Sequence, residues 1–317
     1  MKSREGRLLN ACGGFMLRIA VSVVLFVVCV PALHAAEPET HIVFLAGPKD
    51  HGFNGRHEYE ADLRVLEKAF NEAPNIPKVR TSFYVGKAPP ASAIADANVI
   101  VILSSSDRAA NEVHPLFPPD PSTDHHGYDA TTKAFLQGYD DLVRKKGMGV
   151  VVLHYAVWAE NWAARQIYMD WTGGLWVQIA SRNPVDQWAM QPVNITHPVL
   201  NGVQPWTYRD EIFSRFLLPE DYRRTNLIVA TPQEDRNGIG PQVAAWAYQR
   251  DDGGRAFVFG GVDFHDAMLQ DNYRRFLLNG IYWAARGKVP AEGVQSATPT
   301  DIKPYVASPA PRTPPQR

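Results

Sequence analysis

The sequence has almost no cysteine: two residues in 317, Cys12 and Cys29, both near the N-terminus. A chain that loses its first 36 residues therefore carries no thiol. This excludes disulfides, a cysteine nucleophile, thiolate metal sites and iron–sulfur clusters. Excess charge of either sign is also missing. Lys plus Arg number 32 against 33 Asp plus Glu, a net charge of −1. No basic run appears anywhere, which argues against a nucleic-acid binder held by counterion release. No Gly-x-Gly-x-x-Gly follows a predicted strand, so neither a nicotinamide nor a flavin site is evident. Internal repeats are absent. What the chain does have is a normal apolar content of 45% and many aromatics, with 8 Trp, 12 Tyr and 14 Phe. That composition excludes a mostly disordered polymer.

The one long apolar run is Leu17 to Val30, with Arg18 at its start and Pro31-Ala-Leu-His-Ala-Ala36 at its exit. A basic start, an apolar core and small exit residues predict a secretory signal peptide over 1–36, cut near Ala35 or Ala36. The run is shorter than the roughly 20 residues of a spanning helix, so no stable membrane insertion is expected after cleavage. Val28 before Cys29 is too bulky for a lipoprotein site, and Met16 is a second candidate start. The segment carries Lys2, Arg4, Arg7 and Arg18 against Glu5, so its removal leaves a net charge near −4. The expected location is periplasmic or extracellular. Residues 37–289 read as one domain, and the proline-rich 290–317 reads as a disordered tail.

The first half alternates strand and helix signals. His41 to Gly47 is a nearly continuous apolar run, as a buried parallel strand requires. Tyr59, Leu63, Leu66 and Phe70 lie at helical spacing. Strands follow over Val79–Val85, Asn98–Leu103 and Gly149–His154, with a helix through Phe135, Tyr139, Leu142 and Val143 before the last. The pattern predicts a doubly wound, mostly parallel α/β sheet of flavodoxin-like type. Arg250-Asp-Asp-Gly-Gly254 between two apolar runs predicts a C-terminal hairpin, and Tyr273 to Ala284 a closing helix. The Pro-rich 114–132 stretch is a long loop, of a length often used for lids or insertions.

Ligands of such sheets bind beyond the carboxyl ends of the strands. The first strand is followed by His51, His57 and Glu58, with Gly52 and Gly55 allowing close backbone approach. Ser104-Ser-Ser-Asp107 follows the third strand. His154 ends the fourth, at the turn where a doubly wound hydrolase puts its nucleophile. Asp263, His265 and Asp266 follow the hairpin, and Asp266 also suits a helix cap. Asp210 and Glu211 form a carboxylate pair suited to sugar hydroxyls. Trp158, Trp162, Trp171, Trp176, Trp188 and Trp206 are dense enough to include a stacking platform, although most are expected in the core. His125 and His126 in the Pro-rich loop rank lower.

Several stretches together resemble the ThuA-like, trehalose-utilisation family within the class I glutamine amidotransferase-like superfamily. They are Ala46–Glu58, Gly149–Val157, Trp171-Thr-Gly-Gly174, His197–Gly202, Trp206–Ile212, Ala245–Tyr248 and Gly260–Asp266. The resemblance implies a flavodoxin-like sandwich and a link to disaccharide or keto-sugar metabolism. Amidotransferases of that superfamily carry a nucleophilic cysteine at the elbow after a central strand. Here the position falls on His154, so a cysteine-dependent glutaminase is excluded.

The leading expectation is an exported carbohydrate enzyme, a hydrolase, lyase or isomerase. Its catalytic set is His57, Glu58, His154 and His265. His57, His154 and His265 would ligate a divalent metal (Zn, Mn or Fe) or else act without one. His51, Asp210, Glu211, Trp158 and Asp266 would bind the small carbohydrate. The alternatives are a non-catalytic sugar-binding protein, or a partner subunit of a sugar dehydrogenase; a homo-oligomer is a further expectation.

Overall fold

The computed structural model describes residues 39–108, 112–118 and 128–303. The expected signal peptide, His125 and His126, and the end of the tail lie outside them. Among the described residues, no helix is long and apolar enough to cross a membrane.

Nine strands form one mixed sheet: β1 (Thr40–Ala46), β2 (Val79–Val85), β3 (Val99–Leu103), β4 (Gly149–Leu153), β5 (Val185–Pro192), β6 (Trp206–Glu211), β7 (Arg224–Pro232), β8 (Gln242–Gln249) and β9 (Arg255–Phe259). Their order is β2-β1-β3-β4-β9-β8-β7-β5-β6. The first five in that order are mutually parallel, and the rest extend the sheet as an antiparallel wing. The α/β class and the parallel half read from the sequence are thus present, as is the β8–β9 hairpin. β5, β6 and β7 were not expected.

The central strands β3 and β4 are buried along their whole length, as sheets covered on both faces require. Helices α1 (Tyr59–Glu72) and α4 (Asp271–Ala284) cover one face, packing Leu63, Leu66, Phe70, Phe276, Leu277 and Ile281 against Ile42, Phe44 and Val101. Helices α2 (Ala130–Lys145) and α3 (Trp162–Thr172) cover the other, packing Leu136, Tyr139, Tyr168 and Trp171 against Val43, Ile100 and Val152. Both helices on that face begin with a side-chain cap: Asp129 accepts from Thr132 N and Asn161 from Ala163 N, each at 2.8 Å.

The wing curls. β6 stands four strands from β9, about 19 Å away across a flat sheet at the usual strand spacing. Yet the chain just after β6 reaches the end of β9, where Phe213 N donates to Gly260 O at 2.9 Å. Accumulated strand twist turns the wing's outer edge back over the parallel half. This closure matters because it brings the end of β6 to the carboxyl edge of the parallel strands.

The first part of the expected disordered tail is packed instead. Val294 and Ile302 are buried in the core on the α1/α4 face. The buried amide of Asn279 accepts from Val294 N at 2.8 Å, and Asn75 Nδ2 donates to Gly293 O at 2.9 Å. Two well-placed apolar anchors and satisfied backbone groups suffice to order a stretch whose average composition is polar and proline-rich. In the Pro-rich loop, Leu116, Phe117 and Tyr128 are core residues; residues 119–127 are outside the described set.

Candidate functional site

The segment after β1 and the turn after β4 bring two histidines together at the carboxyl edge of the sheet. Both occupy left-handed backbone, with φ of 53° at His57 and 50° at His154. Non-glycine residues reach that region at a cost, and such positions cluster where geometry serves a function. Gly55, at φ 88°, makes the turn that delivers His57. Val262, at φ 88°, immediately precedes Asp263 in the segment after β9. The fourth member, Glu211, arrives on the last residue of β6 because the wing curls.

Ligand atoms of His57, His154, Glu211 and Asp263 all lie within 4.8 Å of one another. His57 Nε2 is 3.3 Å from Asp263 Oδ1 and 3.9 Å from Glu211 Oε2. His154 Nε2 is 3.7 Å from the same Asp263 oxygen and 3.8 Å from the same Glu211 oxygen. Donors around an ion at bond lengths near 2.1 Å sit about 3.4 Å apart in a tetrahedral arrangement, so the spacing fits. Both ring nitrogens of His154 and Asp263 Oδ1 are buried with no hydrogen-bond partner. Unanswered buried polar atoms are expensive, and here His154 Nε2 and Asp263 Oδ1 stand 3.7 Å apart. The four residues form a group able to hold a metal ion.

Two of the donors, His57 and Asp263, are held from behind. The His57 Nδ1 side is bonded to Asp50 Oδ1, and the Tyr59 hydroxyl donates to the other Asp50 oxygen at 2.8 Å. A carboxylate behind a histidine is the usual way to fix the face a ligand presents. Arg56 Nε donates to Asp263 Oδ2 at 2.5 Å, leaving Oδ1 turned toward the histidines. Burial pulls the His57 imidazolium down, but Asp50, Glu211 and Asp263 outweigh it and push it up to about 9. Burial, with the nearby His57 charge, pushes His154 well below its ordinary value, so its ring is neutral. Burial and the Glu211 charge raise Asp263 to about 6, against the opposing pull of Arg56 and His57.

A cleft of about 270 Å³ opens above this group. Tyr155, Trp158 and Phe213 give it an aromatic wall, while His51, Arg56, Arg108 and Asn183 supply polar groups. The Tyr155 hydroxyl donates to the buried Glu112 carboxylate at 3.0 Å.

Of the residues expected in a site, His57, His154 and Glu211 converge here, and His51 and Trp158 line the cleft. The others are elsewhere. His265 Nδ1 is 2.7 Å from Asp62 Oδ1, in a separate pair beside α1, and is not one of the four donors. Glu58 accepts from Lys49 Nζ at 2.5 Å and from Gly55 N at 2.9 Å, bracing the loop. Asp266 accepts from the Tyr208 hydroxyl. Asp210 is fully buried; its oxygens accept from backbone N–H groups and Tyr273, leaving none for a sugar. Burial, together with the Asp263 charge, raises Asp210 to about 7. Trp171, Trp176, Trp188 and Trp206 are core residues, and Trp162 is exposed. Asp263 stood in the sequence after a predicted strand but had no role assigned. Asp50 gave no signal beyond its place in the same loop.

Fold and site together define an open α/β domain whose strand-end elbow carries a histidine within a histidine–carboxylate group. The chain belongs to the ThuA family, whose model, described as trehalose utilisation, matches residues 122–284. Solved structures that resemble it include a protein described as ThuA-like from Bacteroides uniformis, at 12% identity and TM-score 0.55, covering 80% of this chain and 95% of that one. A second, also described as ThuA-like, from Parabacteroides merdae, has 17% identity and TM-score 0.53 over 84% and 95%. A glutamine amidotransferase from Thermotoga maritima aligns at 10% identity over 71% and 76%, with TM-score 0.38. No protein of curated function matches the sequence significantly.

Proposed function

We propose that this ThuA family member is an exported, metal-dependent enzyme acting on a small carbohydrate, a disaccharide or keto-sugar glycoside. The observation that carries the reading is the convergence of His57, His154, Glu211 and Asp263, with buried atoms of His154 and Asp263 left without hydrogen-bond partners, at the floor of an aromatic-walled cleft. Two imidazoles and two carboxylates without a thiolate suit Zn²⁺, Mn²⁺ or Fe²⁺. A divalent ion held there supplies Lewis acidity toward a carbonyl or hydroxyl oxygen of the sugar.

The chain's own residues do the rest. Neutral His154 offers a lone pair without first losing a proton. Asp50 fixes the His57 ring, and Arg56 offsets part of the negative charge of Asp263 and Glu211. The aromatic wall suits the apolar face of one sugar ring, and the cleft volume suits a unit of that size. His51, exposed on the loop with its Nδ1 3.5 Å from Asp50 Oδ1, is the lining imidazole placed to exchange protons with a substrate in the cleft.

The test is a screen of disaccharides and their keto derivatives with protein of residues 37–317, metal-loaded and chelated. Turnover that needs metal and is lost in His57→Ala supports the reading. Calorimetric binding without product, equally strong in chelated protein, would replace it with a sugar-binding protein, which the aromatic wall alone would also serve. Product formed only after mixing with a dehydrogenase would make the chain a partner subunit.

A further inference from the structure

The two carboxylates of the proposed metal group come from distant segments, the end of β6 and the stretch after β9. One side chain ties both. Asp210 Oδ1 accepts from Glu211 N at 2.9 Å and from Asp263 N at 3.1 Å. Asp210 Oδ2 accepts from Val262 N at 3.1 Å and from the Tyr273 hydroxyl at 2.6 Å. Both Glu211 and Asp263 therefore have their own backbone N–H clamped to the same buried carboxylate. The approach is so close that a Cβ on Gly261 would stand 2.8 Å from Asp210 Oδ2. The clamp also engages the left-handed backbone at Val262, through that residue's own N–H.

We infer that Asp210 is the positioning residue of the metal group, setting the separation of Glu211 and Asp263 and so the affinity for the ion. This rests on the metal reading above. Asp210 does not face the cleft and touches neither the ion nor substrate; it acts through the backbone of the two carboxylates that do. Acceptance from three backbone N–H groups by one buried side chain makes the arrangement stiff. An amide in its place would turn an NH₂ toward N–H groups that need an acceptor.

A control lies directly across the sheet. Asp186 on β5 is the cross-strand neighbour of Asp210. It too is buried and accepts backbone N–H groups, from Gln233, Glu234 and Asp235 at 3.0–3.2 Å. None of those residues belongs to the metal group.

The experiment compares wild type, Asp210→Asn and Asp186→Asn by chelator competition for Zn²⁺ and by the absorption bands of the Co²⁺-loaded proteins, below every melting temperature. Asp210→Asn is expected to weaken Zn²⁺ by about 10–100-fold, the usual effect of losing an outer partner of a ligand, and to shift the Co²⁺ bands. Asp186→Asn is expected to lower Tm while leaving both readouts unchanged. Affinity within about twofold of wild type in Asp210→Asn, or an equal loss in Asp186→Asn, would overturn the inference. Tyr273→Phe removes one donor and serves if Asp210→Asn does not fold; it should weaken Zn²⁺ by a few-fold, and no change overturns the inference. A wild type that binds no metal overturns the metal reading itself, and this inference with it.

Discussion

The two parts of the sheet contribute unlike things to one cleft. The parallel half supplies the histidines, His57 after β1 and His154 after β4, from turns with left-handed backbone. The antiparallel wing supplies Glu211 from the far end of β6, and the junction strand β9 leads to Asp263. The parallel half is a framework that many α/β proteins share. The wing, by curling, adds Glu211 to the two histidines and Asp263 at the parallel strand ends and so completes a four-donor group. The lesson is that the four-residue group depends on closure between the halves, and not on either half alone.

The largest effect that would break this comparison is loss of one donor from each side. His57→Ala and Glu211→Ala should each weaken divalent-metal binding on the order of 100-fold, near 3 kcal/mol, with the fold kept by circular dichroism. If only the histidine variant loses metal, the wing has no part in the site.

Acid should then probe buried histidines outside the cleft. His114, near the parallel half, donates and accepts as a neutral ring: its Nδ1 accepts from Leu116 N and Phe117 N, and Nε2 faces the Tyr168 hydroxyl at 2.6 Å. Burial pushes its value down to about 3, and that of His197, before the wing's β6, to about 4. Between those values and 6.5 the unfolded chain binds more protons, so stability rises with pH and falls on acidification. The raised carboxyls of Asp210 and Asp263 act in the opposite sense but are common to both proteins, so between pH 7 and pH 4.5 urea unfolding of the wild type should lose about 2–3 kcal/mol more stability than that of His114→Gln. An unchanged slope in the variant would assign the acid sensitivity elsewhere.

The smallest expected effect concerns the loop brace. Glu58→Gln should cost under about 1 kcal/mol, because its partner Lys49 is partly exposed, and should leave metal affinity unaltered. A large loss of metal would return Glu58 to the site.

The sequence made the parallel half legible because buried strands there are continuous apolar runs, as in Val99–Leu103 and Gly149–Leu153. The wing was largely hidden. β5 reads Val-Asp-Gln-Trp-Ala-Met-Gln-Pro and β6 Trp-Thr-Tyr-Arg-Asp-Glu, with polar residues on one face that look like loop. In the site, His57 and His154 were legible because strand ends mark where ligands bind. Glu58 and His265 share that edge, yet their side chains turn to Lys49 and Asp62, a direction that position along the chain does not give. Asp263 lacked a role for the converse reason: its partners Arg56, His57 and His154 lie on other segments, brought near only by the folding of the sheet.

The most direct test of the central claim is the metal content of residues 37–317, purified without chelators or a His-tag, beside His154→Ala. The account predicts about one divalent ion per chain in the wild type and its loss in the variant. No metal in the wild type, or the same content in both proteins, would contradict it.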